Sequence, residues 1–237
     1  MIFDIDDRIY TFIPGYIESI DNINSTELIM LNDSNEKYKA KAVINGELII
    51  QNKKFKSKKI KQLHLETFEE YNEFISLYDA NKDKWIYNIL DGLAEQDKIL
   101  YIDNKCIIIP TYTWSSPTTE DLKINPSCLD KLHILAIPFD RSIRCIRDLT
   151  FEHIPLLKHM KELTLKTINN LYGINSCQIK TFIHYSPSTY HFHIHFVNLT
   201  NSCNMSSIEY SHDLELVLHN LSIKSDYYQT VRLNKLI

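Results

Sequence analysis

The thirteen residues Ser188 to Thr200, STYHFHIHFVNLT, constrain the fold more than any other stretch of the chain. Three of the ten histidines fall at alternate positions, with Phe192, Ile194 and Phe196 interleaved. Side chains two apart on a strand share a face. His191, His193 and His195 therefore stand in one row, about 6.5 Å between successive Cα atoms, and the aromatic and aliphatic residues form the opposite face. An apolar face of that kind needs a covering layer. A long helix predicted over roughly 151–172, capped by Thr150 and ended by Gly173, supplies it. CQIKTFIHYS pairs with the histidine strand around Ser186-Pro187-Ser188, and LHILAIPF and KILYIDNKCIIIP add further strands. The expected class is α+β, an antiparallel sheet with one long helix packed on it.

The rest of the chain divides in two. Residues 1–80 read as a small N-terminal domain of short strands and turns (ELIM, AVING, ELII), closed by a helix with Phe68, Tyr71, Phe74, Ile75 and Tyr78 on one face. The basic run KKFKSKKIK (53–61) reads first as an exposed hairpin edge kept soluble by lysines, and second as a phosphate-facing or nuclear-import patch. Residues 81–237 hold the sheet and the long helix. Asp83 is expected to cap a helix carrying Ile86, Ile89, Leu90 and Leu93.

Composition excludes several classes. No apolar run approaches the roughly 20 residues of a membrane span, and MIFDIDDRIY is too acidic for a secretory leader. The five cysteines, at 106, 128, 145, 177 and 203, form no CxxC pair. They imply neither a disulfide framework nor a cysteine zinc site, and a reduced intracellular setting. A net charge of −4 argues against a broad nucleic-acid face and for a small or short anionic ligand.

Three readings compete for the histidine row. A strand face that is merely histidine-rich fits three consecutive alternations poorly. A metal site fits poorly as well. The outer histidines lie about 13 Å apart along a strand, whereas ligand nitrogens must sit about 2 Å from one ion. No Asp or Glu occurs between Lys180 and Asn204 to complete such a site. An anion site with a nucleophilic histidine fits better. Imidazoles offer donors and positive potential without repelling phosphate, and one near neutral pKa can attack phosphorus and leave again.

HFHIHFV resembles the signature of the histidine-triad nucleotide hydrolases and transferases. HYSPSTYHFHIHF, SIRCIRDLTFEHIPLLK, LDKLHILAI and WIYNILDGLAEQDKIL together resemble the scavenger mRNA decapping enzymes, strongly from Trp85 to about Leu199 and more weakly over residues 44–80. The resemblance implies hydrolysis of 7-methylguanosine cap dinucleotides and short capped RNA fragments left by 3′-to-5′ mRNA decay, with release of 7-methylguanosine monophosphate. It implies His193 as the nucleophile of a covalent nucleotidyl-histidine. His195 and His184 would hold or protonate phosphate oxygens, His191 would complete the catalytic set, and Ser188 would contact phosphate. No cofactor or metal is expected. The resemblance also implies a homodimer with exchanged N-terminal segments, a site closed between the two domains, and a cytoplasmic and nuclear location.

Methylated guanine is cationic, so an aromatic face and a carboxylate suit it. Trp85 and Glu95 match the family's stacking tryptophan and guanine-reading glutamate, although without the resemblance Trp85 reads first as a core residue at the start of a helix. Asp121 and Lys123 match the family's charged cap contacts when TYTWSSPTTE is an insertion. The rival register matches Trp114 and puts Thr111 and Thr113 in their place. Thr189 stands where the family usually has a second tyrosine. Two other classes remain open: a general dinucleoside polyphosphate hydrolase, which would not need Trp85 and Glu95 as a pair, and a non-catalytic cap-binding relative.

Overall fold

The computed structural model describes the backbone of residues 2–5, 8–11, 27–31, 37–42 and 48–55, and then residues 62–111, 114, 116–201 and 207–236. Contacts divide the chain into two compact units, Met1–Ile60 and Lys61–Ile237. The first contains an antiparallel pair, β1 (Ile2–Ile5) and β2 (Arg8–Thr11), and an antiparallel three-stranded sheet of β3 (Glu27–Leu31), β4 (Lys37–Ala42) and β5 (Leu48–Phe55). The basic run enters β5 at residue 53, and its second half lies outside the described residues.

The sequence reading ended the first part at residue 80, whereas the units divide after Ile60. The reason lies in α1 (Phe68–Ser76). A complete capping box between Thr67 and Glu70 starts this helix, and its Tyr71 is fully buried in the main core of the second unit. β6 (Leu63–Glu66) likewise pairs with the far end of the chain, β13 (Leu233–Leu236).

The second unit is built on a six-stranded antiparallel sheet, ordered β12-β10-β11-β9-β8-β7. Its strands are β7 (Tyr101–Ile102), β8 (Cys106–Pro110), β9 (His133–Pro138), β10 (Ile179–His184), β11 (Ile194–Asn198) and β12 (Ser211–Asp213). Both faces of the central strands are covered, so β8, β9 and β11 are buried throughout; β8 is wholly apolar, whereas His133 heads β9 and β11 carries His195 and Asn198. On one face Ile108, Ala136, Ile194 and Phe196 join Leu157, Met160 and Ile168 of α4 (Ile154–Tyr172). On the other, Ile107, Ile109, Leu135 and Ile137 pack against Ile86 and Ile89 of α2 (Lys84–Leu90). The long helix ends as expected at Gly173, with φ +68, where a residue without Cβ enters the left-handed region cheaply.

Two local expectations change. Asp83 does not cap α2 with its side chain. Its buried carboxylate accepts instead from the Tyr78 hydroxyl (2.9 Å) and the Tyr190 amide (3.2 Å). The histidine strand is also shorter than its pattern, and regular pairing begins only at Ile194. Before that point the backbone bonds elsewhere: the Tyr190 amide reaches Asp83, and the Phe192 amide donates to the Ile143 carbonyl at 2.9 Å. The alternation of side chains survives, because Phe192, Ile194 and Phe196 all enter the core beside α4.

The quoted motif SIRCIRD turns out to be a fastening. Arg147 is fully buried. Its guanidinium donates to the Tyr185 hydroxyl and to the carbonyls of Glu66, Tyr228 and Val231, at 3.2, 2.7, 2.8 and 2.6 Å. Distributing a buried charge over several acceptors offsets its desolvation, and the acceptors bind β6 and the C-terminal segment to the sheet. Glu66 completes the cluster by accepting from Tyr185 and pairing with Lys235.

Candidate active site

The antiparallel register sets the site. His195 lies opposite Leu135 on β9 and Phe182 on β10, so all three share the sheet face away from α4. His133 and His184 fall on the same face by alternation. The result is a cluster of imidazoles rather than a row. The His184 and His195 rings are 4.1 Å apart, His193 meets His195 edge-on at 4.9 Å, and Phe182 stacks flat on His195 at 5.1 Å. Nε2 of His133 lies 2.9 Å from Nδ1 of His195. His133 was missed as a site residue in the sequence. Its signal was present, since it is the single polar residue at the head of the buried strand HILAIP.

Backbone carbonyls fix two tautomers. A carbonyl only accepts, so His193 donates from Nδ1 to the His191 carbonyl at 2.8 Å, which leaves Nε2 as an unprotonated nitrogen. His191 donates from Nε2 to the Pro138 carbonyl, also at 2.8 Å. His191 is fully buried, and Tyr87 of α2 meets it edge-on at 5.4 Å. His193 is partly accessible and lines a small recess with His184, Arg144, Cys145, Ile183, Pro187 and Phe192. No carboxylate lines that recess. Arg144 brings it a cation, held by Asp148 at 3.0 Å.

The electrostatics favour neutral rings. Burial pushes His193 down to about 4, and the charges of His184 and His191 act in the same direction against the His191 carbonyl bond. Burial likewise lowers His133 to about 4 and His195 well below its ordinary value, each helped by neighbouring histidines. His191 is also lowered by burial, although Asp83 and Asp140 pull the other way. Asp83 therefore corrects the expectation of a cluster remote from carboxylates: a residue more than a hundred positions away reaches the back of the histidine segment. Burial in turn raises the Asp83 carboxyl.

The cap-site candidates are distributed as follows. Trp85 is 46% exposed near the start of α2 and is not a core side chain. Glu95 is exposed in the following turn, 3.4 Å from Lys98, with φ 53. A non-glycine held in the left-handed region is uncommon away from functional turns. Asp121 is taken up by a capping box with Thr118, accepting from its amide at 2.8 Å at the start of α3 (Thr119–Ile124). Lys123 is exposed on that short helix. Trp114 is buried, donates to the Cys128 carbonyl at 3.1 Å and packs edge-on against Tyr172. Thr111 donates its amide to the His133 carbonyl, and Thr113 lies outside the described residues. Ser188 is exposed and Thr189 buried in the turn leading to the histidines.

An antiparallel sheet backed by one long helix, with clustered neutral imidazoles opening on a carboxylate-free recess, defines a histidine-cluster domain suited to an anionic group. Residues 84–210 match the family described as scavenger mRNA decapping enzyme C-term binding, and the chain belongs to that family. Three curated relatives carry the name m7GpppX diphosphatase. The Caenorhabditis elegans protein is 32% identical over 189 residues, 78% of this chain and 58% of its own. The Rattus norvegicus protein is 34% identical over 171 residues, 69% and 48%. The Homo sapiens protein is 36% identical over 150 residues, 62% and 42%. The chain thus spans about half the length of the curated relatives it matches.

Proposed function

We propose that the protein hydrolyses 7-methylguanosine cap dinucleotides and short capped RNA fragments, with His193 as nucleophile. One observation carries this reading. The His191 carbonyl ties down Nδ1 of His193, so the second nitrogen keeps its lone pair, and the residue lines a recess shared with His184 and Arg144. Its lowered pKa keeps it unprotonated at neutral pH. Family membership supplies the substrate class.

In the proposed reaction Nε2 attacks the phosphorus attached to 7-methylguanosine. A P–N bond forms as the neighbouring anhydride P–O bond breaks, and the nucleoside diphosphate leaves. His184 and His195 donate to the phosphoryl oxygens, and Arg144 adds charge stabilisation as negative charge gathers there. Water then attacks the same phosphorus, releasing 7-methylguanosine monophosphate and restoring the imidazole. Trp85 stacks on the cationic base and Glu95 accepts from its guanine edge. Lys123 and Ser188 serve the phosphates, and Asp121 keeps its capping role. The same reading makes the protein a cytoplasmic and nuclear homodimer, which light scattering on the eluting protein tests for the oligomer. Rapid quenching during turnover tests the mechanism. Intact-protein mass should show a 7-methylguanylate adduct in the parent and none in His193→Asn.

A further inference from the structure

On the opposite side of the sheet from the imidazoles, a second group of metal-ligating side chains converges. Asp103 sits in the turn between β7 and β8, Cys106 is the first residue of β8, and His159 projects from α4. One ligating atom from each lies within 4.8 Å of the other two, the one such group among the described residues. We propose that Asp103, Cys106 and His159 bind a divalent transition metal of the zinc type, with water in the fourth position.

The donor chemistry selects the ion. A thiolate, an imidazole and a carboxylate together suit zinc, whereas magnesium and calcium prefer oxygen donors alone. Ligand atoms around a tetrahedral zinc lie roughly 3.5 Å apart, given bond lengths of about 2.0–2.3 Å, so the side chains need only small adjustments. Nε2 of His159 and Oδ2 of Asp103 are 2.6 Å apart. A proton now lies between them where the ion would enter. The other carboxylate oxygen is already oriented, accepting from the amides of Lys105 and Cys106 at 2.8 and 2.9 Å. Such outer bonds hold metal-ligating carboxylates in place.

Charge and access agree. One thiolate and one carboxylate neutralise a divalent ion, which suits a largely buried location. Cys106 is fully buried at the floor of the group, whereas Asp103 and His159 are partly exposed and leave an entry path. Burial, and next the Asp103 charge, push the Cys106 thiol up to about 12. The ion would join the β7–β8 hairpin to the long helix. Cys106 shares the α4-facing core with Ile108, while His195 lies on the opposite face, so this group is separate from the candidate active site.

The test is zinc stoichiometry of the full chain. Protein equilibrated with zinc and freed of unbound ion is assayed by elemental analysis. Affinity comes from competition with a chromophoric chelator, and cobalt replaces zinc to reveal a thiolate-to-metal charge-transfer band. The parent, His193→Asn and His184→Gln should each hold one ion per chain. Cys106→Ser should lose the cobalt band, and His159→Gln should weaken zinc at least tenfold. Because Cys106 is buried and its variant can misfold, His159→Gln, at a partly exposed position, stands as an independent arm. Absence of stoichiometric zinc in the parent would overturn the proposal. So would undiminished binding in His159→Gln, or an ion lost with His193 or His184 but kept without Cys106.

Discussion

Replacing His133 by phenylalanine separates two effects that the buried His133–His195 contact combines. Phenylalanine occupies the ring volume but bonds nothing, so Nδ1 of His195 loses the partner now 2.9 Å away. Leaving one buried polar atom unpaired costs about 1–3 kcal/mol. Protonation acts in the opposite sense. Burial holds His133 near 4 against an ordinary 6.5. As pH falls, the unfolded chain takes up this proton first, so stability is full above about 6.5 and declines towards 4. At pH 4.5 one such group lowers stability by about 2.5 kcal/mol, a loss the phenylalanine variant does not share. His133→Phe should therefore be less stable than the parent by about 1–3 kcal/mol at pH 7.5, with the gap closed or reversed at pH 4.5. Urea unfolding followed by circular dichroism at both pH values measures the difference. Turnover at pH 7.5 should fall about tenfold as His195 loses its orientation. A stability difference unchanged between the two pH values would refute the assignment of His133 as a buried neutral histidine.

Four further outcomes follow from the site. His193→Asn should lose cap hydrolysis by several orders of magnitude while keeping cap affinity within a few-fold; turnover within tenfold of the parent would remove His193 as nucleophile. Trp85→Ala should weaken methylated-cap binding roughly tenfold, in the range of about 0.5–2 kcal/mol for a cation over a ring. Because the indole is half-exposed, stability should change by about 1 kcal/mol or less, against about 3–5 for a buried tryptophan. Glu95→Ala should weaken both methylated and unmethylated guanine ligands and relax discrimination against diadenosine triphosphate, read by calorimetry. Exhaustive chelation should leave hydrolysis intact, because neutral imidazole donors and the Arg144 charge stabilise the phosphoryl oxygens; activity lost to chelator and restored by zinc or manganese in His159→Gln, which lacks the separate ligand group, would make the clustered histidines ligands.

Local signals in the sequence carried much of this structure. Period-two alternation placed Phe192, Ile194 and Phe196 against α4, and Gly173 marked that helix's end. Pairing across the sheet was not legible in the same way. His133 lies more than sixty residues from His195, and only the β9–β11 register brings their rings together. Asp83 carried a correct local signal, a helix start, but its carboxylate is drawn off by Tyr78 and Tyr190, an outcome set by tertiary packing. The early end of the histidine strand has the same origin, since Ile143 and Asp83 take the amides that an adjacent strand would otherwise use. Trp85 could not be assigned to core or surface from spacing alone, because both faces of α2 have apolar residues nearby. Its exposure decides that point. Asp121 matched a charged contact by register, while the Thr-x-x-Asp pattern around it equally announced a capping box.

The most direct test of the central claim is hydrolysis of 7-methylguanosine-capped guanosine dinucleotide in 18O-labelled water, with products identified by mass. Attack at the phosphorus attached to 7-methylguanosine predicts 7-methylguanosine monophosphate bearing one 18O, together with unlabelled guanosine diphosphate. Label in the guanosine diphosphate, release of 7-methylguanosine diphosphate, or no cleavage at all would contradict the account.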